Sequence, residues 1–79
     1  MRTRINRTVP FFVSRSILSP REKEILERMR DGKTDLEISA IYTISEYTVK
    51  FHIKHILRKL QASNRTHAVG IAMQKRLLD

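Results

Sequence analysis

The chain has 79 residues and no cysteine, which bounds it to one small domain and excludes a disulfide framework or a thiolate metal site. Sixteen Lys and Arg against eight Asp and Glu leave a net charge of +8, so a polyanion such as nucleic acid or an anionic membrane surface is the expected partner. No stretch is long enough to cross a membrane.

The basic excess is unevenly placed. Residues 1–18 carry four Arg and no acid, residues 19–44 five bases and six acids, residues 45–60 four and one, and residues 61–79 three and one. The charge therefore lies on an N-terminal arm and from residue 45 onward. The arm, residues 1–18, contains proline and has no periodicity, so it is expected to be extended or partly disordered. Its apolar patch, Val9 to Val13, is interrupted by Pro10 and meets Ser14 and Arg15 at once, which excludes a signal peptide. Phe11 and Phe12 allow part of it to fold back on the domain. It is either a linker left from a longer protein or a functional arm, and Arg2, Arg4 and Arg7 either enter a minor groove or form a solvated tail.

The domain proper, residues 19–79, opens on Ser19-Pro20-Arg21-Glu22: an N-cap serine, proline at the first helical position and glutamate three residues on to close a capping box. Ile25, Leu26 and Met29 recur on one face, and Gly32 stops a helix of about residues 20–31. Thr34-Asp35-Leu36-Glu37 is a second capping box. It starts a short helix whose Ile38 and Ile41 form an apolar face too small to stand alone. Tyr42 and Thr43 leave room only for a tight turn before Ser45 caps a third helix.

From Ser45 to Leu60 the apolar residues Val49, Ile53, Ile56, Leu57 and Leu60 fall on one stripe and predict a core face. The opposite side carries Tyr47, Phe51, Lys54, His55 and Arg58, with Lys50 at its edge: bases and aromatics without an acid. Such a face suits a phosphate-lined groove better than bulk water. After a polar break at Ser63-Asn64, residues 65–78 predict a fourth helix. Its Ala68, Val69, Ile71, Ala72, Met73, Leu77 and Leu78 spread around most of the circumference. That pattern needs two burial surfaces, the core and a second copy of the chain; the alternative is a cap on one side of the core with a few small residues exposed.

His52, His55 and His67 have no Cys or nearby carboxylate to complete a metal site, so hydrogen bonding to DNA or backbone is their expected role, and no metal or cofactor is expected. Glu22 is explained by its capping box, with a partnership to Arg65 across the core as a further structural option. No combination of nucleophile, base and orienting group is recognisable, so an enzyme is not expected.

Taken together, Ser19-Pro20-Arg21-Glu22, Gly32-Lys33-Thr34, Glu37-Ile38, Ile44-Ser45, Thr48-Val49-Lys50, His52, Lys59-Leu60, Asn64-Arg65 and Ala68-Val69 resemble the C-terminal DNA-binding domain of the LuxR/GerE transcription factors. The resemblance covers residues 18–78. It implies an all-α, four-helix helix-turn-helix domain that binds double-stranded DNA as a homodimer, with the third helix in the major groove and the fourth at the dimer contact. By the same resemblance, Lys50, Phe51 and Lys54 are similar to base-reading positions, and Thr34, Thr48 and His52 to phosphate contacts. Arg58 joins the backbone set from its place on the basic face. Ala68, Ile71, Ala72 and Lys75 are expected at the dimer contact. A cytoplasmic, nucleoid-associated regulator is implied, with RNA polymerase or a related regulator as a further protein partner.

Two positions depart from the family pattern. Ser39 and Tyr42 stand where Ala and Leu are usual, and the Tyr42 hydroxyl must find a partner or reach water. The bulky Phe51 can touch a thymine methyl but cannot hydrogen-bond a base edge, which leaves the site sequence open. One alternative is a sigma-factor-like promoter-recognition domain. Another is a protein-binding module that heterodimerises with a full-length regulator through the fourth helix. No sensor domain is expected, so the chain either stands alone or is a fragment.

Overall fold

The computed structural model describes residues 17–78; the expectations for Arg2, Arg4, Arg7, Phe11 and Phe12 lie outside them. The described backbone forms four helices and no strand: α1 (Pro20–Arg30), α2 (Asp35–Tyr42), α3 (Glu46–Leu60) and α4 (Arg65–Gln74).

Each helix starts on an oxygen-bearing side chain. Ser19 Oγ accepts the Glu22 N–H at 3.1 Å, and Glu22 Oε1 accepts the Ser19 N–H at 2.9 Å. Thr34 and Glu37 repeat the box at 3.1 and 2.8 Å. Ser45 and Asn64 accept the N–H groups of Thr48 and His67 at 3.0 and 2.9 Å. Each cap satisfies donors the helix cannot, and stabilises by about 1 kcal/mol.

The helix ends share one device as well. A residue in the left-handed region follows each: Gly32 at φ 81°, Thr43 at 55°, Gln61 at 54° and Arg76 at 58°. The next N–H then reaches back into the helix, Lys33 to the Arg28 carbonyl (3.0 Å), Ile44 to Ser39 (3.1 Å), Ala62 to Leu57 (2.9 Å) and Leu77 to Ala72 (2.7 Å). Only the first of these reversals uses glycine, so Gly32 was the one end marked by residue type. The last reversal corrects the expected helix of residues 65–78. α4 stops at Gln74, and Arg76 turns the chain so that Leu77 and Leu78 drop into the core.

α3 packs against the three other helices, and α1 also meets α4. The core joins Ile25, Leu26 and Met29 of α1, Ile38 of α2, Val49, Ile53 and Ile56 of α3, Ala68 and Ala72 of α4, and Leu77 and Leu78 beyond it. Leu57 and Leu60 are partly buried against this cluster. Ile41, expected on the apolar face of α2, is instead 47% exposed, and Leu36 of the same helix is 65% exposed; α2 turns Ile38 and Ser39 inward, with Tyr42 partly buried against the core.

Polar contacts fix the packing. Tyr42 donates its hydroxyl to the Glu24 carbonyl at 3.2 Å, and the Arg21 guanidinium lies 4.8 Å from its ring centroid. Ser39 is buried and donates to the Leu36 carbonyl at 2.7 Å. Glu22, only 6% exposed, pairs with Lys59 of α3 at 2.7 Å. The partnership of Glu22 with Arg65 is thus corrected: Arg65, at the first position of α4, reaches Asp35 instead, Nη1 to Oδ1 at 2.7 Å. Burial is the largest single influence on the Glu22 carboxyl and raises its pKa. The Lys59 hydrogen bond and charge, with the Ser19 amide and hydroxyl, together outweigh burial and hold it below the ordinary value.

Candidate nucleic-acid interface

α3 is long enough, at 15 residues, to bury one side and present the other. Val49 and Ile56 are fully buried and Ile53 nearly so. At 100° per residue, Tyr47, Phe51, Lys54 and Arg58 then align in a narrow row on the far side. All four are exposed. Tyr47 is the most open of the large apolar side chains described, at 79%. It belongs to this row by the same periodicity that identified Phe51 and Lys54, yet no motif assigned it a role.

Phe51 is 52% exposed and held on one side by histidines. The His55 ring lies 4.4 Å from it, tilted by 56°, and the His52 ring meets it edge-on at 6.0 Å. An exposed aromatic ring braced in this way keeps a fixed direction, which a lone phenylalanine would not. His52 is half-buried on the flank of the row, beside Thr48. Thr48 Oγ1 accepts from Ser45 Oγ at 2.9 Å, which leaves its own hydroxyl proton free for an outside acceptor. Thr34 is exposed at the start of α2, where its oxygen accepts the Glu37 N–H.

Lys50 departs most from expectation. The outward row of α3 was read as free of acids, but Lys50 Nζ lies 2.8 Å from Asp35 Oδ2 and 3.7 Å from Glu46 Oε2. Asp35 in turn binds Arg65, whose Nη2 donates to the Lys33 carbonyl at 3.3 Å. Burial raises the Asp35 pKa, but Lys50 and Arg65, through hydrogen bonds and charge, bring it below the usual carboxylate range. The Asp35 hydrogen bond and charge raise the Lys50 ammonium in turn. The three residues come from α2, α3 and α4, 15 and 30 positions apart, so no local pattern announces them. Lys54 and Arg58, in contrast, are exposed in the row as expected.

The expected dimer positions divide. Ala68 and Ala72 are 0% exposed, so both are corrected to core positions with no surface for a partner. Ile71 is half-buried and Lys75 exposed; together with Ile17, Leu60 and Leu77 they line a shallow cleft of about 150 Å³. The outer face of α4 carries exposed Thr66, Gly70 and Met73. Among the described residues no three His, Asp or Glu side chains gather as a metal site, and no helix is long and apolar enough to cross a membrane.

Residues 16–72 match the family described as bacterial regulatory proteins, luxR family. Over 61 residues the chain is 52% identical to the HTH-type quorum sensing-dependent transcriptional regulator RpaR of Rhodopseudomonas palustris, covering 77% of this chain and 25% of that protein. It is 47% identical over 62 residues to the transcriptional activator protein CarR of Pectobacterium carotovorum, covering 78% and 25%. The crystal structure of the response regulator ChrA, from a heme-sensing two-component system, superposes with a TM-score of 0.75 at 46% identity, covering 77% of this chain and 30% of that one. The chain therefore spans about a quarter of the length of these curated relatives. RpaR and CarR are described as transcriptional regulators, the matched segment of ChrA shares the fold described above, and the chain belongs to the luxR family of bacterial regulatory proteins.

Proposed function

We propose that residues 19–79 bind double-stranded DNA sequence-specifically, with α3 in the major groove, and that they do so as a transcription-regulating dimer inside the bacterial cytoplasm. The observation that carries the reading is the outward row of α3, where Tyr47, Phe51, Lys54 and Arg58 stand exposed opposite a buried apolar stripe. A B-DNA major groove admits one helix, and its walls are phosphates that cations neutralise. In this arrangement Lys50 and Lys54 donate to base edges and the braced Phe51 ring packs on a thymine methyl. Thr34, Thr48, His52 and Arg58 hold the backbone and set the register. Residues 1–18 serve as an arm or linker, of which Leu18 packs against the core.

The geometry of a single small domain supports a dimer. One short domain with one reading helix contacts few base pairs, and a two-fold pair doubles both the positive surface and the sequence read. The outer face of α4 supplies the contact, with Thr66, Gly70 and Met73 exposed and Ile71 and Lys75 at its border. RNA polymerase or a related full-length regulator is the further protein partner of such a dimer.

Fluorescence anisotropy with a labelled duplex tests the reading. Lys54→Ala is expected to lose about 1–3 kcal/mol on the preferred duplex and much less on a scrambled one. Arg58→Ala is expected to weaken both about equally and to lower the salt slope by about 1. Wild-type affinity that ignores both salt and sequence would overturn the proposal.

A further inference from the structure

Lys50 would be a poor reader if its chain were free. A lysine ammonium on four methylenes with three donors satisfies a phosphate as readily as a base edge, and phosphates line both walls of the groove. In this chain the ammonium is held by Asp35 Oδ2 at 2.8 Å and lies 3.7 Å from Glu46 Oε2. Asp35 is itself fixed, since its side chain is only 16% exposed, it sits at the first position of α2, and its other oxygen takes Arg65 at 2.7 Å. Arg65 is anchored on the Lys33 carbonyl.

We propose that Asp35 is a specificity-positioning residue: it pins the Lys50 ammonium at the α2–α3 edge so that its remaining donors address an acceptor-rich base edge, the N7 and O6 of guanine, in place of a backbone phosphate. This rests on the DNA-reading role of α3. Two physical effects act together. Asp35 occupies one donor on Lys50, and the Glu46 charge 3.7 Å away draws the ammonium to the same side, so the remaining donors are confined to the outward direction. The same carboxylates repel phosphate oxygens, which raises the cost of docking in any register that brings a phosphate there. Guanine N7 and O6 present acceptors without a formal charge, so they pay less of that penalty. Asp35 touches no base in this scheme and acts through Lys50.

The test is a double-mutant cycle on the full chain with wild type, Asp35→Asn, Lys50→Ala and the double variant. Each is titrated against the duplex that wild type enriches from a random pool and against a scrambled duplex, over a range of salt. Asparagine keeps the shape of the side chain and removes its charge, and thermal unfolding of each variant checks the fold. Asp35→Asn is expected to bind scrambled DNA several-fold more tightly, because Lys50 is released to phosphate, with a salt slope steeper by about 0.9. Its ratio of specific to non-specific affinity is expected to fall about tenfold, concentrated at one guanine of the half-site. In the Lys50→Ala background the same substitution is expected to leave that ratio unchanged. An unaltered ratio and slope in Asp35→Asn, or an equal effect with and without Lys50, would overturn the role of Asp35 while leaving the DNA reading intact. Equal loss on both duplexes together with a lowered unfolding temperature would also overturn it, marking Asp35 as a structural clamp alone. No enrichment by wild type would refute the DNA reading and this inference with it.

Discussion

Glu22 offers a quantitative test of how α1 and α3 are held together. Its Oε1 accepts two hydrogen bonds, from the Ser19 N–H at 2.9 Å and from Lys59 Nζ at 2.7 Å. The bond to Lys59 is charge-assisted and nearly buried at the Glu22 end, which places it at about 1.5–3 kcal/mol. The Lys59 side chain is 33% exposed, so its ammonium regains water when the partner goes, and the lower half of that range applies. Glu22→Gln keeps an acceptor for Ser19 and a neutral one for Lys59, so only part of that energy goes, at a cost of about 1–1.5 kcal/mol. Glu22→Ala also loses the capping bond and is expected to cost about 2–3 kcal/mol. In a domain this small 1 kcal/mol lowers the unfolding temperature by about 4–8 °C. The pH dependence has a defined sign. The folded pKa lies below the unfolded one, so the stabilisation is complete above the ordinary glutamate pKa, about 4.3, and fades as the pH falls through the folded value. Urea unfolding of wild type, Glu22→Gln and Glu22→Ala at neutral pH and near pH 3 measures this. The gap between wild type and Glu22→Gln is expected to close in acid. A gap below about 0.3 kcal/mol at neutral pH, or one that persists unchanged in acid, would refute the assignment of the stabilisation to the charge pair.

Three further outcomes are expected. Thr43 holds φ 55° and ψ 47° between α2 and α3, a region that costs an L-residue about 1–2 kcal/mol. Thr43→Gly is therefore expected to stabilise the fold by about 0.5–1 kcal/mol after the added unfolded-state entropy of glycine, read by thermal unfolding. Leu78 is 8% exposed, so Leu78→Ala is expected to cost about 2–4 kcal/mol in urea, whereas a frayed tail would tolerate it. Met73 is 55% exposed on α4, and Met73→Asp is expected to leave stability within about 0.5 kcal/mol while shifting sedimentation equilibrium toward monomer. An unshifted association constant would remove the outer face of α4 from the dimer contact.

The fold was legible where physical signals are local. Capping boxes at Ser19 and Thr34, the Ser45 cap and the apolar stripe of α3 each depend on residues three or four apart and were visible in the sequence, whereas Asn64, read only as part of a polar break, is the cap of α4. The end of α4 was not, because Arg76 takes the left-handed conformation without the glycine that announces it elsewhere. Leu77 and Leu78 then read as more helix, which exaggerated the apolar circumference of α4 and drew Ala68 and Ala72 into the expected dimer contact. At the candidate site, the outward row of α3 follows from periodicity. The Asp35 link to Lys50 and Arg65 depends on how α2, α3 and α4 meet, and in the sequence Asp35 stood only as one residue of the Thr34-Asp35-Leu36-Glu37 capping box. Tyr42 shows the middle case. The sequence required a partner or water for its hydroxyl, and the tertiary packing supplied the Glu24 carbonyl.

The central claim is that α3 reads the major groove of duplex DNA on behalf of a two-fold dimer. Selection from a random double-stranded pool with the wild-type chain, repeated with Lys54→Ala, tests it most directly. The expected result is an enriched inverted repeat, half-sites about one helical turn apart, with Lys54→Ala relaxing the same position in both halves. A pool that remains random, or an enriched site indifferent to Lys54, would contradict the account.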